Sequence, residues 1–223
     1  PAVGDIVSIH YYKGKDSGPW CPRCGTAISQ HEILTEQYKE ITHTAVFFKC
    51  QRLNVDQPSA FLVWTTTPWT VPADIALAVN PDFTYAEFAV EGERETLIFL
   101  KDLGPKILAG RKWKIVREMK GTKLVGERYV GPFDDLPVNV QAKKDFPRTF
   151  HLVFLEKDLV IAEEGTGIVH IVPGAGTEDF QLGMREKLPV LEVIDEAANY
   201  VAGYGDLTGQ SAKNHPELVF DRL

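Results

Sequence analysis

Between residues 45 and 172, apolar, β-branched and aromatic residues come in short runs, each closed by Gly, Pro, Asn or Asp. Runs of five to nine residues with such endings suit strands, and the short intervals between them leave little room for helices. Eight strands are expected: AVFFKCQRL (45–53), AFLVWTT (60–66), ALAVN (76–80), TYAEFAV (84–90), ETLIFLK (95–101), KWKIVREM (112–119), TFHLVFL (149–155) and GIVHIV (167–172). One helix is expected at TEDFQLGMREKL (177–188), with Thr177 as N-cap, Asp179 in the first turn, and Phe180, Met184 and Leu188 on one face. LPVLEVI (188–194) then reads as a buried strand, and a short helix is expected after Asn214. The fold class is therefore β-rich α+β, a closed β-barrel-like core with a few short flanking helices. Three parts are expected. Residues 1–44 form an N-terminal connecting segment, 45–195 the core, and 196–223 a C-terminal loop and short helix that complete the domain.

The formal charge of −7 over 223 residues argues against a broad basic surface that holds nucleic acid by neutralising phosphates. No apolar run approaches the roughly 18 to 20 residues that span a bilayer, and the first residues lack a signal-peptide pattern. The three cysteines, two of them in CPRC, suit a reducing compartment, so a cytoplasmic protein without a membrane partner is expected. Cys21 and Cys24 have the spacing of half a zinc knuckle, four ligands being needed for a full site. His31 is a candidate third ligand, while Cys50 sits in a strand pattern and reads as core.

The familiar catalytic signatures are missing: no Gly-x-Ser-x-Gly elbow, no phosphate loop, no His-Glu-x-x-His helix. Two polar clusters remain, WTTTPWT (64–70) and GTGIVHIVPGAGTED (165–179). In an extended strand Thr65 and Thr67 face one way and Thr66 the other. Pro68 keeps Thr67 extended and withholds a ladder donor, so pairing ends there and the hydroxyls stand at a strand's mouth. Hydroxyls and unpaired N–H groups at a mouth can orient a water and steady an oxyanion; threonines also simply favour strands. Likewise Asp179 suits a helix's first turn by itself, and His170 a buried strand.

WTTTPWTVPADIALAVNPDF closely resembles the editing-domain signature of isoleucyl-tRNA synthetases, of the class I aminoacyl-tRNA synthetase family. EEGTGIVHIVPGAGTEDFQLG resembles that family's Gly-Thr-Gly-x-Val-His-x-x-Pro-x-x-Gly-x-x-Asp segment, and GTKLVGERYVGPF the stretch between the two. Valyl and leucyl relatives resemble TTRPET and TTRPDT at the threonine site; Thr67 and Trp69 stand here in place of their Arg and acidic residue, which favours the isoleucyl branch. The class I signatures for ATP use and tRNA charging are absent from the chain.

The resemblance implies an aminoacyl-tRNA deacylase that proofreads by hydrolysing Val-tRNA(Ile), with no cofactor for hydrolysis. One methylene separates the two amino acids, worth only about 1–3 kcal/mol in an apolar pocket, and isoleucyl enzymes are the standard illustration of that shortfall. By the resemblance, Thr65 and Thr66 line the hydrolytic pocket and Asp179 pairs with the substrate α-ammonium. Thr67 and Trp69 lie by the terminal adenosine and side chain, and His170 excludes isoleucine by bulk. Asp74 stands where this family usually has Asn, and Ala175 where His or Phe is common. The implied partners are the 3′ CCA end of tRNA(Ile) carrying valine and the remainder of a parent synthetase, the domain itself being monomeric. A second Cys-x-x-Cys beyond Leu223 would complete a zinc site with Cys21 and Cys24 in the longer parent only. Two alternatives stand beside this reading: a valyl-type domain that hydrolyses Thr-tRNA(Val), and a tRNA-binding module that is inactive apart from its parent.

Overall fold

The computed structural model describes residues 18–29, 44–163 and 165–223. His31 and most of the segment 1–44 lie outside them.

Eleven strands form three sheets among these residues. A hairpin of β1 (Trp20–Cys21) and β2 (Thr26–Ala27) carries the cysteine pair. The main sheet runs β8-β6-β7-β4-β3-β9, with β3 Val46–Arg52, β4 Ser59–Thr65, β6 Thr84–Val90, β7 Thr96–Leu100, β8 Trp113–Lys120 and β9 Tyr129–Val130. A smaller sheet has β5 (Ala76–Val79) between β10 (Leu152–Leu155), parallel to it, and β11 (Ile168–Ile171), antiparallel. All eight expected strands form, shortened by one to three residues at most ends, because the flanking turn residues leave the ladder first. The ladders among the described residues do not close into one ring; β11 instead packs against β4, so the small sheet lies across the large one.

Three apolar layers hold this together. One face of β3 and β4 points Phe48, Cys50, Phe61 and Val63 into the main core with Leu77, Val79 and Ile168 from the small sheet. The opposite face of the large sheet buries Ala60, Leu62, Phe88 and Phe99 under Leu108, which follows the short helix α1 (Gly104–Ile107). The far side of the small sheet buries Ile75, Ala76 and Ile171 against Ala142 of α2 (Pro137–Asp145) and Leu182 of α3 (Thr177–Glu186). β5 is buried on both faces, which explains its unbroken ALAV rather than an alternating pattern.

Three expectations change. LPVLEVI forms no strand: only Ile194 makes an isolated bridge, to Tyr200, and Pro189 cannot donate to a ladder. Helix α3 buries Leu182 and Gly183, whereas Met184 is exposed, since the small sheet meets the other side of the helix. Its N-cap is Gly176 rather than Thr177, with no side-chain cap bond. Helix α2, hidden in the sequence behind GPFDDLP, starts with Pro137 at its first position. The tail joins the main core through Tyr200, Tyr204, Leu207 and Val219, and its helix α4 (Glu217–Phe220) packs on the 3-10 segment Pro68–Ala73.

That segment ends at a buried polar network. The Tyr129 hydroxyl donates to Asp74 Oδ2 at 2.6 Å, and His151 Nε2 lies 3.1 Å from the Asp74 carbonyl. The imidazole stacks between Tyr129 and Phe150. Burial pushes the Asp74 carboxyl up to about 7, against the opposing pull of His151 and the Tyr129 hydrogen bond. Its Oδ1 is buried without a partner, costly for an anion and tolerable for a neutral acid. A carboxyl raised on folding favours the native state below its ordinary value near 4 and loses that contribution as pH rises through about 7. Asp74→Asn keeps an acceptor for Tyr129 and has no proton to lose. The melting temperature of the wild type should therefore fall relative to Asp74→Asn between pH 4 and pH 8. A difference that does not change with pH would refute this.

Candidate functional site

β4, an inner strand of the large sheet, carries the threonine run to its C-terminal end and stops at Thr65, paired with Val46. Pro68 begins the 3-10 segment Pro68–Ala73, so the chain turns where the sequence predicts. Thr65 and Thr67 share a side: their Oγ1 atoms are 3.1 Å apart, and the Thr67 N–H donates to Thr65 Oγ1 at 3.0 Å. Thr65 is buried and Thr66 exposed, but Thr67 is exposed as well, because the strand ends at Thr65 and alternation does not continue past it.

From the crossing sheet, β11 brings His170. Its Nε2 is 2.8 Å from Thr70 Oγ1, and the Thr70 hydroxyl is 2.8 Å from the Thr67 carbonyl. Its ring and that of Phe48 stand nearly perpendicular, 5.7 Å apart between centroids. Burial lowers the imidazole to about 4, so it is neutral at physiological pH. The preceding loop reaches the site through Gly165 and Gly167, both with φ near +70°. A Cβ on Gly165 would lie 2.9 Å from the Trp64 ring, and one on Gly167 2.8 Å from Leu100.

Asp179 comes from the first turn of α3. Its carboxylate folds back over the cap residue: a Cβ on Gly176 would sit 2.7 Å from Asp179 Oδ2. Burial pushes this carboxyl up to about 6, with the Val172 N–H, 3.4 Å from Oδ2, pulling the other way.

These elements enclose a cleft of about 350 Å³ lined by Thr65, Thr66, Thr67, Trp69, His170 and Asp179. Six of the seven residues expected to act on substrate are thus together. Asp74 is set apart, in the network beneath the 3-10 segment. Trp64, Thr70, Ile161, Thr166 and Glu178 also line the cleft and were not singled out from sequence. Thr70 was legible as the last residue of TTTPWT, but nothing local marks its histidine partner. Among the described residues the lining holds two carboxylates, Glu178 and Asp179, and no Lys or Arg, so the cleft favours a cationic group. A larger hollow of about 600 Å³ lies elsewhere, among Arg52, Glu87, Glu93 and Arg117. Arg117 and Glu87 pair within it at 3.1 Å, and Glu93 pairs with Arg111 outside the lining at 2.7 Å.

Cys21 and Cys24 sit at the hairpin, where the Cys24 N–H is 3.3 Å from Cys21 Sγ. Hydrogen bonding from Cys24 holds the Cys21 thiol below its ordinary value. Two thiols fit half of a tetrahedral zinc site, and among the described residues no group of three or more His, Cys, Asp or Glu could hold a metal. Among those residues, too, no helix is long and apolar enough to cross a membrane.

The fold is that of the aminoacyl-tRNA synthetase editing domains. It matches the crystal structure of GlLeuRS-CP1 with a TM-score of 0.59 at 14% identity, over 80% of this chain and 94% of that one. The P. knowlesi cytosolic leucyl-tRNA synthetase editing domain gives 0.52 at 11% identity, over 80% and 93%. In sequence the chain is homologous to the isoleucine–tRNA ligases. It is 39% identical to that of Clostridium novyi over 94% of its length, 40% to that of Pyrococcus abyssi over 82%, and 34% to that of Methanosarcina mazei over 94%. It spans only 19%, 17% and 19% of those relatives, respectively. No protein-family profile matches it.

An Asp179 raised to about 6 makes the site measurable without substrate. Its carboxyl carbon should titrate near pH 6 by NMR. Asp179→Asn should be more stable than the wild type above pH 7, by about 1–2 kcal/mol after discounting for partial exposure, and the gap should close towards pH 4. A midpoint near 4 and equal stabilities would refute the burial of this charge.

Proposed function

We propose that this chain proofreads for an isoleucine–tRNA ligase by hydrolysing valine from Val-tRNA(Ile). The supporting observation is the cleft itself: a half-buried carboxylate faces a row of threonine hydroxyls and a neutral histidine, with no strong nucleophile and no cation in the lining. An aminoacyl ester carries an ammonium next to its reacting carbonyl. Asp179 pairs with that ammonium and so fixes the carbonyl beside Thr65 and Thr66. A water held by the threonine hydroxyls attacks the carbonyl carbon, and the same hydroxyls donate to the oxygen that gains charge. The intermediate collapses with cleavage of the bond to the ribose oxygen, which takes up a proton from the attacking water. His170 acts as a wall: neutral, tied to Thr70 and braced on Phe48, it accepts valine and obstructs isoleucine. Thr67 and Trp69 face the terminal adenosine. The partners are the 3′ CCA end of the tRNA and the rest of a parent synthetase, whose surfaces supply the phosphate contacts that an acidic cleft lacks. Zinc belongs to that longer parent: Cys21 and Cys24 would provide two ligands there and take no part in hydrolysis. Purified chain carrying one zinc per molecule would contradict this.

Single-turnover deacylation tests the reading. Valyl-tRNA(Ile) should lose its amino acid at least about 10-fold faster than isoleucyl-tRNA(Ile). Asp179→Ala should slow the valyl reaction roughly 10- to 100-fold, the worth of one charged hydrogen bond. Gly176→Ala, whose φ of −138° any residue adopts, should impair the reaction by displacing Asp179 while leaving the fold intact. The rate should fall as pH drops through about 6, where Asp179 takes up a proton. Loss of valine no faster than the spontaneous rate, or equal loss of both amino acids, would overturn the proposal. Faster hydrolysis of Thr-tRNA(Val) would turn it to the valyl branch.

A further inference from the structure

We infer that Thr70 is a positioning residue that locks His170 in one tautomer and ties it to the threonine run, making the selective wall and the hydrolytic row a single rigid unit. The inference rests on the reading of the cleft as an aminoacyl-ester site. The Thr70 hydroxyl has one proton and two close partners, the Thr67 carbonyl oxygen and His170 Nε2, each at 2.8 Å. A carbonyl can only accept. If the proton went to Nε2, two oxygen lone pairs would face each other at 2.8 Å in a buried site, which is repulsive. The proton therefore goes to Thr67, and Nε2–H donates to Thr70. Nδ1 is left as the proton-free nitrogen.

The relay joins residues 100 apart in sequence. It reaches Thr67, whose N–H binds Thr65 Oγ1, so movement of the histidine ring would be felt along the hydroxyl row. The same Thr67 carbonyl also accepts the Thr70 N–H at 3.0 Å, which holds the two residues in one turn. Between the perpendicular ring of Phe48 and Thr70 on Nε2, the ring cannot rotate away from a larger side chain without breaking a buried hydrogen bond.

Thr70→Val keeps the shape and removes the hydroxyl; Thr70→Ser keeps the hydroxyl. Nitrogen-15 spectra of the imidazole should show Nε2–H and bare Nδ1 in the wild type and Thr70→Ser at pH 7, and a mixture of tautomers in Thr70→Val. Calorimetry with non-hydrolysable amide analogues, valyl- and isoleucyl-aminodeoxyadenosine, gives the selectivity independently of turnover. Thr70→Val should narrow the valyl preference by about 3- to 10-fold, the worth of one net hydrogen bond, and Thr70→Ser should restore it. An Nδ1–H imidazole in the wild type, or a preference that Thr70→Val leaves unchanged, would overturn the inference. If neither analogue binds, the ester-site reading fails, and with it the selective role; the imidazole spectra then decide the tautomer lock alone.

Discussion

The crossing of the two sheets, with β11 laid against β4, is the contact on which the rest depends. It buries Phe48 and Val63 from one sheet with Leu77 and Ile168 from the other in a single apolar layer. The same contact delivers His170 to the end of the strand that carries the threonines. Fold and site thus share one interface, and packing that stabilises the domain also fixes the geometry of the cleft. Tail and 3-10 segment strengthen this. The Tyr200 hydroxyl donates to the Trp69 carbonyl at 2.8 Å, so a residue far along the chain steadies a wall of the cleft.

Burial sets the electrostatic character of the site. His170 is kept neutral, Asp179 is held near its point of ionisation, and among the described residues the lining offers no positive charge. Such a cleft attracts an ammonium and repels phosphate. It suits a substrate whose reacting end is cationic and whose polyanionic body is held elsewhere. The proposed hydrolysis of an activated ester asks for little more than a positioned water, and a lining of hydroxyls with the carboxylates of Glu178 and Asp179 suits that proposal.

Much of this was legible locally. The bend after Thr67 follows from Pro68, the shared side of Thr65 and Thr67 from the period of a strand, and the place of Asp179 in a first turn from the helix pattern of 177–188. Local patterns failed where another segment decided. LPVLEVI has the composition of a strand but finds no ladder. Phe180 and Met184 have helical spacing, yet the small sheet meets the side that carries Leu182. Helix α2 lay behind a turn-rich stretch whose Pro137 begins a helix instead of interrupting one.

The sequence by itself determined the strands, the turn of the threonine run, and the family resemblance, because periodicity and turn chemistry act between neighbours. Only the tertiary structure decided that Asp74 lies under the cleft with Tyr129 and His151 instead of within it, and that Thr70 meets His170. Burial of His170 and Asp179, which moves their titration away from the ordinary values, was likewise decided there. The reason is physical: the charge of a side chain and its hydrogen-bond partner depend on which distant segments exclude water around it, and no short stretch of sequence contains that information.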